Sequence, residues 1–189
     1  MAVYTIFESI NMGSTHFAER IFDCVSDEDI ENGTFGYMDG LADGESHTYK
    51  FVKGTKSGEK VVVADNPAWT EDTSRITNQR RDKYIIPAGT RFRVRVVKVN
   101  DEFGISIEGI TPATQSVVSS VTDFRDNDVF LTIDATGKLI ASTSSTADAV
   151  MEARIERKRI MGGTLATAAN NYGYSKSIFE ARIKVLAWF

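Results

Sequence analysis

Cysteine is nearly absent. Cys24 is the only one in 189 residues, which excludes an intrachain disulfide and any cysteine-based zinc site. Its ordinary role is that of a small buried apolar residue, with a reactive thiol as the alternative. Histidine is as scarce: with His16 and His47 alone, a multi-histidine metal site is excluded and no H-E-x-x-H helix exists. No apolar run approaches the roughly 20 residues that a helical bilayer crossing requires. The opening MAVYTIFESINMGST lacks the basic and apolar regions of a signal peptide. These absences lead us to expect a protein made and kept, or assembled, in a cytosol, with no membrane partner.

Catalytic signatures are missing as well. Asp27-x-Asp29-x-Glu31 opens like a calcium loop, but Asn32 stands where Gly is required and Met38 where the closing Glu belongs. Glycines at 33, 36 and 40 lack dinucleotide-loop spacing, and there is no Walker sequence and no G-x-S-x-G elbow. The expectation is a non-enzyme without a cofactor or metal.

What is present is strand grammar. A chain of this length buries roughly 70% of its unfolded surface and needs no staple. From Arg91 to Val96 charged and apolar residues alternate strictly, the signature of a strand with one buried face. Phe92, Val94 and Val96 point one way, and Arg91, Arg93 and Arg95 the other. At Val96-Val97 the phase changes, as a β-bulge or a strand crossing between two packed surfaces would require. Two hairpins are expected. The first joins His47–Val52 to Glu59–Ala64, with Val61, Val62 and Val63 buried on both faces. The second joins Val129–Ile133 to Lys138–Ser142 through Asp134-Ala135-Thr136-Gly137, a type I turn closing on a left-handed glycine.

Ser14 to Val25 fits either a short helix or a strand ending an N-terminal arm, and Met151 to Arg157 alternates as a strand. Met151-Glu-Ala-Arg-Ile recurs as Phe179-Glu-Ala-Arg-Ile, which suggests two similar edge environments. The second copy begins a terminal strand with Phe179, Ala181, Ile183 and Val185 opposite Glu180, Arg182 and Lys184. Gly162 to Ser177 between the copies reads as an excursion or loop. The fold class expected is mainly β: a compact barrel or sandwich of short antiparallel strands with little helix. An extended N-terminal arm over residues 1–30 precedes a single domain over 31–189.

Charge is segregated along the chain. Up to His47 ten acids face the single base Arg20, whereas from Arg75 to Lys98 eight bases face only Asp82. The acidic segment can therefore lie on the basic one, within a subunit or between neighbours; two solvated faces are the alternative. Candidate partner contacts are Arg80, Arg81, Arg91, Arg93 and Arg95 on the basic side and Asp27 and Asp29 on the acidic side. Trp188 and Phe189 complete the set, since two large terminal aromatics are expected to dock, in their own subunit or on a neighbour. Direct nucleic-acid binding is not expected, because Phe92 lies opposite the arginines and cannot form a stacking platform with them.

Three stretches carry a resemblance: Glu31-Asn32-Gly33-Thr34-Phe35-Gly36-Tyr37, then Ile86-Pro87-Ala88-Gly89-Thr90-Arg91-Phe92-Arg93, then Phe130-Leu131-Thr132-Ile133-Asp134 with Gly137-Lys138-Leu139. In order along the chain, they resemble structural proteins of tailed bacteriophages, the capsid decoration or cement class in particular. The resemblance implies a β-rich body with an extended arm, bound outside the major capsid shell. Such a protein clamps neighbouring subunits against the pressure of packaged DNA. The implied partners are the major capsid protein and further copies of this chain, and the implied location is the virion surface after synthesis in a bacterial cytoplasm. Another phage role (neck, tail or shell) and a soluble carbohydrate- or nucleic-acid-binding β-domain are the alternatives.

Overall fold

A computed structural model of the protein describes residues 3–13, 20–67, 81–161 and 176–187. The fold is mainly β, as the alternation predicts, with eleven strands and one short helix among the described residues. Five strands close a barrel in the order β2 (Ile21–Val25), β4 (Thr48–Lys53), β3 (Phe35–Leu41), β5 (Val62–Ala64), β6 (Phe92–Val96), with β6 returning to β2. The other six form an antiparallel sheet: β1 (Phe7–Asn11), β7 (Glu102–Ser106), β11 (Lys176–Leu186), β10 (Met151–Met161), β8 (Phe130–Ile133), β9 (Leu139–Ser142). Helix α1 (Gln115–Ser119) lies beside β9.

Two cores follow from this arrangement. Inside the barrel, Cys24, Ile30, Phe51, Val62, Phe92 and Val94 pack together, with the Phe51 and Phe92 rings edge to face at 5.4 Å. Between barrel and sheet lies a larger core. There Phe7, Phe35 and Phe103 form a ring trio with centroid distances of 5.6 to 6.4 Å. Offset and edge-on aromatic pairs of this kind add about 0.5–1.5 kcal/mol each beyond their burial.

The phase change at Val96-Val97 has its explanation here. Val94 and Val96 point into the barrel, whereas Val97 is fully buried in the core shared with the sheet. The strand crosses between two packed surfaces. β5 does the same within three residues: Val62 faces the barrel interior, and Val61 and Val63 face the sheet.

The second expected hairpin forms as read. Ile133 pairs with Leu139 and Phe130 with Ser142, and Gly137 closes the turn at φ 79°. The first does not. β4 and β5 are never neighbours; β3 sits between them, because Gly36 pairs with Lys53 on one side and with Val62 on the other. A Cβ at Gly36 would stand 2.3 Å from the Val52 carbonyl oxygen, so only glycine allows that three-strand contact.

Three further expectations are corrected. The described part of residues 1–30 is no free arm: β1 pairs with β7, and β2 pairs with both β4 and β6, because Phe7 and Cys24 are core residues. The β2–β4 pair is parallel, so the strands are not uniformly antiparallel. The echoed segments are central strands, not edges, and they pair with each other, Ala153 opposite Ile183 and Ile155 opposite Ala181. All four side chains face the shared core, although Val185 is 42% exposed. Ser14–Glu19, the basic stretch up to Arg80, the excursion 162–175, and Trp188 and Phe189 lie outside the described residues.

The β8–β9 turn fastens the sheet to the barrel. Phe35 N–H donates to Gly137 C=O at 2.8 Å, and Gly54 packs against Ala135. Asp134 holds the turn in shape: the Thr136 and Lys138 N–H groups and the Thr136 hydroxyl donate to its Oδ1, and the Thr111 hydroxyl to its Oδ2 at 2.7 Å. Burial works to raise the Asp134 pKa, but hydrogen bonds from Thr136, Thr111 and the Lys138 backbone outweigh it and hold the carboxyl below its ordinary 3.8. A depressed folded pKa means stability that is present above the ordinary value and lost as pH falls through the folded one. Asp134→Ala removes the acceptor of the Thr136, Lys138 and Thr111 hydrogen bonds and is expected to cost about 1–3 kcal/mol at pH 7. In thermal denaturation the gap between variant and parent should narrow below about pH 4; a gap that stays constant down to pH 2 would contradict the role given to the ionised carboxylate.

Candidate functional site

Two charged surfaces stand out, one on each lobe. On the barrel, β6 carries the arginine face. Arg91 and Arg93 are exposed, and Arg95 is half-buried against Asp65. Arg91 pairs with Glu45, while Arg93 has no carboxylate partner among the described residues. Phe92 faces the barrel interior, as the alternation requires, so no ring lies among the arginines.

Among the described residues the acidic segment forms ion pairs with the basic one at two points, Glu8 with Arg81 at 2.7 Å and Glu45 with Arg91. Arg81 also donates to the Phe7 carbonyl at 2.6 Å. On the barrel, Asp27 pairs with Lys50 (2.9 Å), Glu28 with Lys53 (2.7 Å) and Asp39 with Lys56 (2.8 Å), while Glu31 reaches Lys138 of the β8–β9 turn at 3.5 Å. Asp29 accepts from the Ala88 N–H at 2.9 Å. Of the predicted contact residues, Asp27 and Arg91 line one cleft on the barrel together with Glu45 and Lys50, whereas Arg81 sits against β1. A cleft of about 490 Å³ opens where β2 stops pairing, between Ser26–Glu28 and Phe51–Lys53, spanned by the Asp27–Lys50 and Glu28–Lys53 ion pairs. In the exposed pairs, hydrogen bonds lower the Asp39 pKa and raise those of Lys50 and Lys56.

The second surface is the outer face of the six-stranded sheet. Its inner face is apolar, so alternation places Glu8, Glu102, Glu180, Arg182 and Lys184 outward. A bulge at Ile155/Arg157 turns Glu156 and Arg157 outward together. Arg159 bridges Glu8 and Glu180, Arg157 meets Glu180, and Arg182 meets Glu102 and Glu156, with Lys184 also on Glu156 at 3.3 Å. Gly104 makes room at the centre, where a Cβ would press on Ile178 and Ile10 at 2.8 and 3.2 Å. A trough of about 370 Å³ runs from Ile10 across to Arg125. The more exposed pairs, such as Lys184 with Glu156, contribute up to about 1 kcal/mol each, whereas Glu180 is only 7% exposed and its two arginines offset the burial of its charge; together the pairs fix a charge pattern on a wide sheet face. The sequence reading identified Glu180, Arg182 and Lys184 as the polar side of a strand but missed the network, whose only signal was the charge on alternate positions of both echoed segments.

Burial, then the nearby Asp23 charge, pushes the Cys24 thiol up to about 12, so it is neutral and buried, not a nucleophile. Glu108 is pulled towards neutrality by burial, but hydrogen bonds from Lys176 and Ser106 prevail and hold its pKa below 4.5. Among the described residues no three metal-ligating side chains gather, and no helix is long and apolar enough to cross a membrane. Comparison with protein-family models, curated proteins and solved structures finds no match.

Proposed function

We propose that this protein is a structural component of a bacteriophage virion, a decoration or cement protein that binds outside the head and bridges neighbouring major capsid subunits. The observation that supports this most is the outer sheet face, where four glutamates and four cations form two neighbouring ion-pair clusters across β1, β7, β11 and β10: Glu8–Arg159–Glu180–Arg157 and Glu102–Arg182–Glu156–Lys184. A face of that kind discriminates among partners by charge register and resists salt-poor aggregation better than an apolar one. The product of such a protein is contact area, not turnover, and its partners are the major capsid protein and further copies of itself. Nucleic acid is not among them, because the barrel arginines lie on the face opposite Phe92.

Quantitative mass spectrometry of purified particles tests the reading. The expected result is this chain at a copy number matching the shell; its absence from intact particles would end the proposal, and a ring-level copy number would move it to the neck. Replacing Arg91 and Arg93 together with Ser should change stability by less than about 0.5 kcal/mol, since both are exposed, while weakening attachment to particles. Unfolding of that double variant would instead show the face to be internal.

A further inference from the structure

Strands β10 and β11 outrun their neighbours. β8 pairs with β10 only from Glu152 to Arg154, and Ile155 N–H donates to Val129 C=O at 2.9 Å. Past that bond, β10 is paired with β11 alone among the described residues. Backbone direction follows from alternation. Ile183 donates to Asp101 C=O and accepts from Asn100 N–H, so it faces β7, and Glu180 and Ile178 accordingly face β10. Their partners Arg157 and Arg159 turn their backbone groups to β11. Lys158 and Ile160 turn theirs to the open side. From Glu156 to Met161 this leaves about 20 Å of strand edge, and Ile160 on it is 62% exposed.

The side chains along this edge select what can pair with it. Arg157, Lys158 and Arg159 are consecutive cations with Glu156 as the only acid. The Lys158 ammonium lies 5.7 Å from the Phe179 ring centroid and has no carboxylate partner among the described residues, and the Arg157 side chain is 70% exposed. A second copy of this chain paired along the edge would set cation against cation, which is unfavourable across a strand pair. An acidic strand meets the opposite condition.

We propose that the Lys158–Ile160 edge of β10 accepts an extended acidic segment of a partner protein as an additional strand. The backbone groups of Lys158 and Ile160 supply the ladder, and the partner's carboxylates meet Arg157 and Arg159 on one face of the sheet or Lys158 on the other. This inference stands apart from the virion reading, and absence of the chain from particles leaves it intact.

The test is amide hydrogen exchange by NMR on the full chain, with two synthetic probes: a blocked peptide alternating Glu with Val, and its Lys–Val counterpart. In the free protein the Lys158 and Ile160 amides should exchange faster than those of Arg157 and Arg159. The acidic peptide should slow them and bind about tenfold more tightly than the basic one at low salt, the equivalent of two or three exposed ion pairs. Ile160→Pro removes an N–H with no partner among the described residues, so melting should be little changed while peptide binding is lost; Ile160→Thr, which keeps the N–H, should retain it. Protected Lys158 and Ile160 amides in the free chain, equal binding of both peptides, or binding undiminished by Ile160→Pro would each overturn the proposal. If the proline variant fails to fold, the exchange map and the peptide comparison decide.

Discussion

Phe35→Ala is expected to destabilise the protein by about 3–5 kcal/mol and to lower its melting temperature by about 10 °C. Phe35 is completely buried on β3, a barrel strand, yet its ring packs edge-on against Phe103 at 5.6 Å and Phe7 at 6.4 Å, both in the sheet. Truncation leaves a void where, among the described residues, the two lobes share aromatic surface, and neither lobe can collapse into it without moving the other. Circular dichroism on heating reads the effect directly. A loss no larger than that from Phe22→Ala, at the partly buried rim of the barrel where Phe22 meets Tyr49, would contradict the role assigned to this seam.

Gly137→Ala acts on the same seam through the backbone and is expected to cost about 3 kcal/mol or more. Two effects add. The residue sits at φ 79°, which an L side chain adopts at a cost of about 1–2 kcal/mol, and its new Cβ would stand 2.3 Å from the Phe35 carbonyl oxygen and 2.7 Å from Thr34 Cγ2. The turn must then lift from the barrel and release the Phe35–Gly137 hydrogen bond. Gly40 and Gly89 separate the two contributions: both have positive φ, and a Cβ there meets nothing within 4 Å. Alanine at either should show the conformational cost alone, about 1–2 kcal/mol. Equal losses at all three positions would mean that the close approach at Gly137 carries no weight.

Local chemistry was legible in the sequence, and strand neighbourhood was not. The β8–β9 hairpin could be read because its turn residues and its register lie within fourteen positions, Val129 to Ser142. β6 could be read because one of its faces is buried and the other charged. The β4–β5 pairing was misread because sequence adjacency suggested a hairpin, whereas the register at Gly36 inserts β3 between the two arms. The same limit applies to the candidate surfaces. Charge alternation showed which residues of β10 and β11 point outward, but the Arg159 bridge between Glu8 and Glu180 requires knowing that β1 and β11 flank β7. The N-terminal segment was taken for an arm because Ser14 to Val25 fits the end of one and the resemblance implies one; Phe7 and its pairing with Ile105 place the segment's start in the body instead.

That placement has a consequence for the order of folding. β7 has neighbours drawn from opposite ends of the chain, with Ile105 opposite both Phe7 and Phe179. The barrel strands all lie between Ile21 and Val96, so the barrel can close while the ribosome is still synthesising β8. The sheet cannot: β1 stays without its partner until β7 appears, and β7 is flanked on both sides only once β11 has been released. Such non-local pairing belongs to the slow end of domain folding, on the order of milliseconds to seconds. Until then the exposed inner face of β1 is open to misassociation. Nascent chains arrested before β11 should therefore hold a protease-resistant barrel and a cleavable N-terminus.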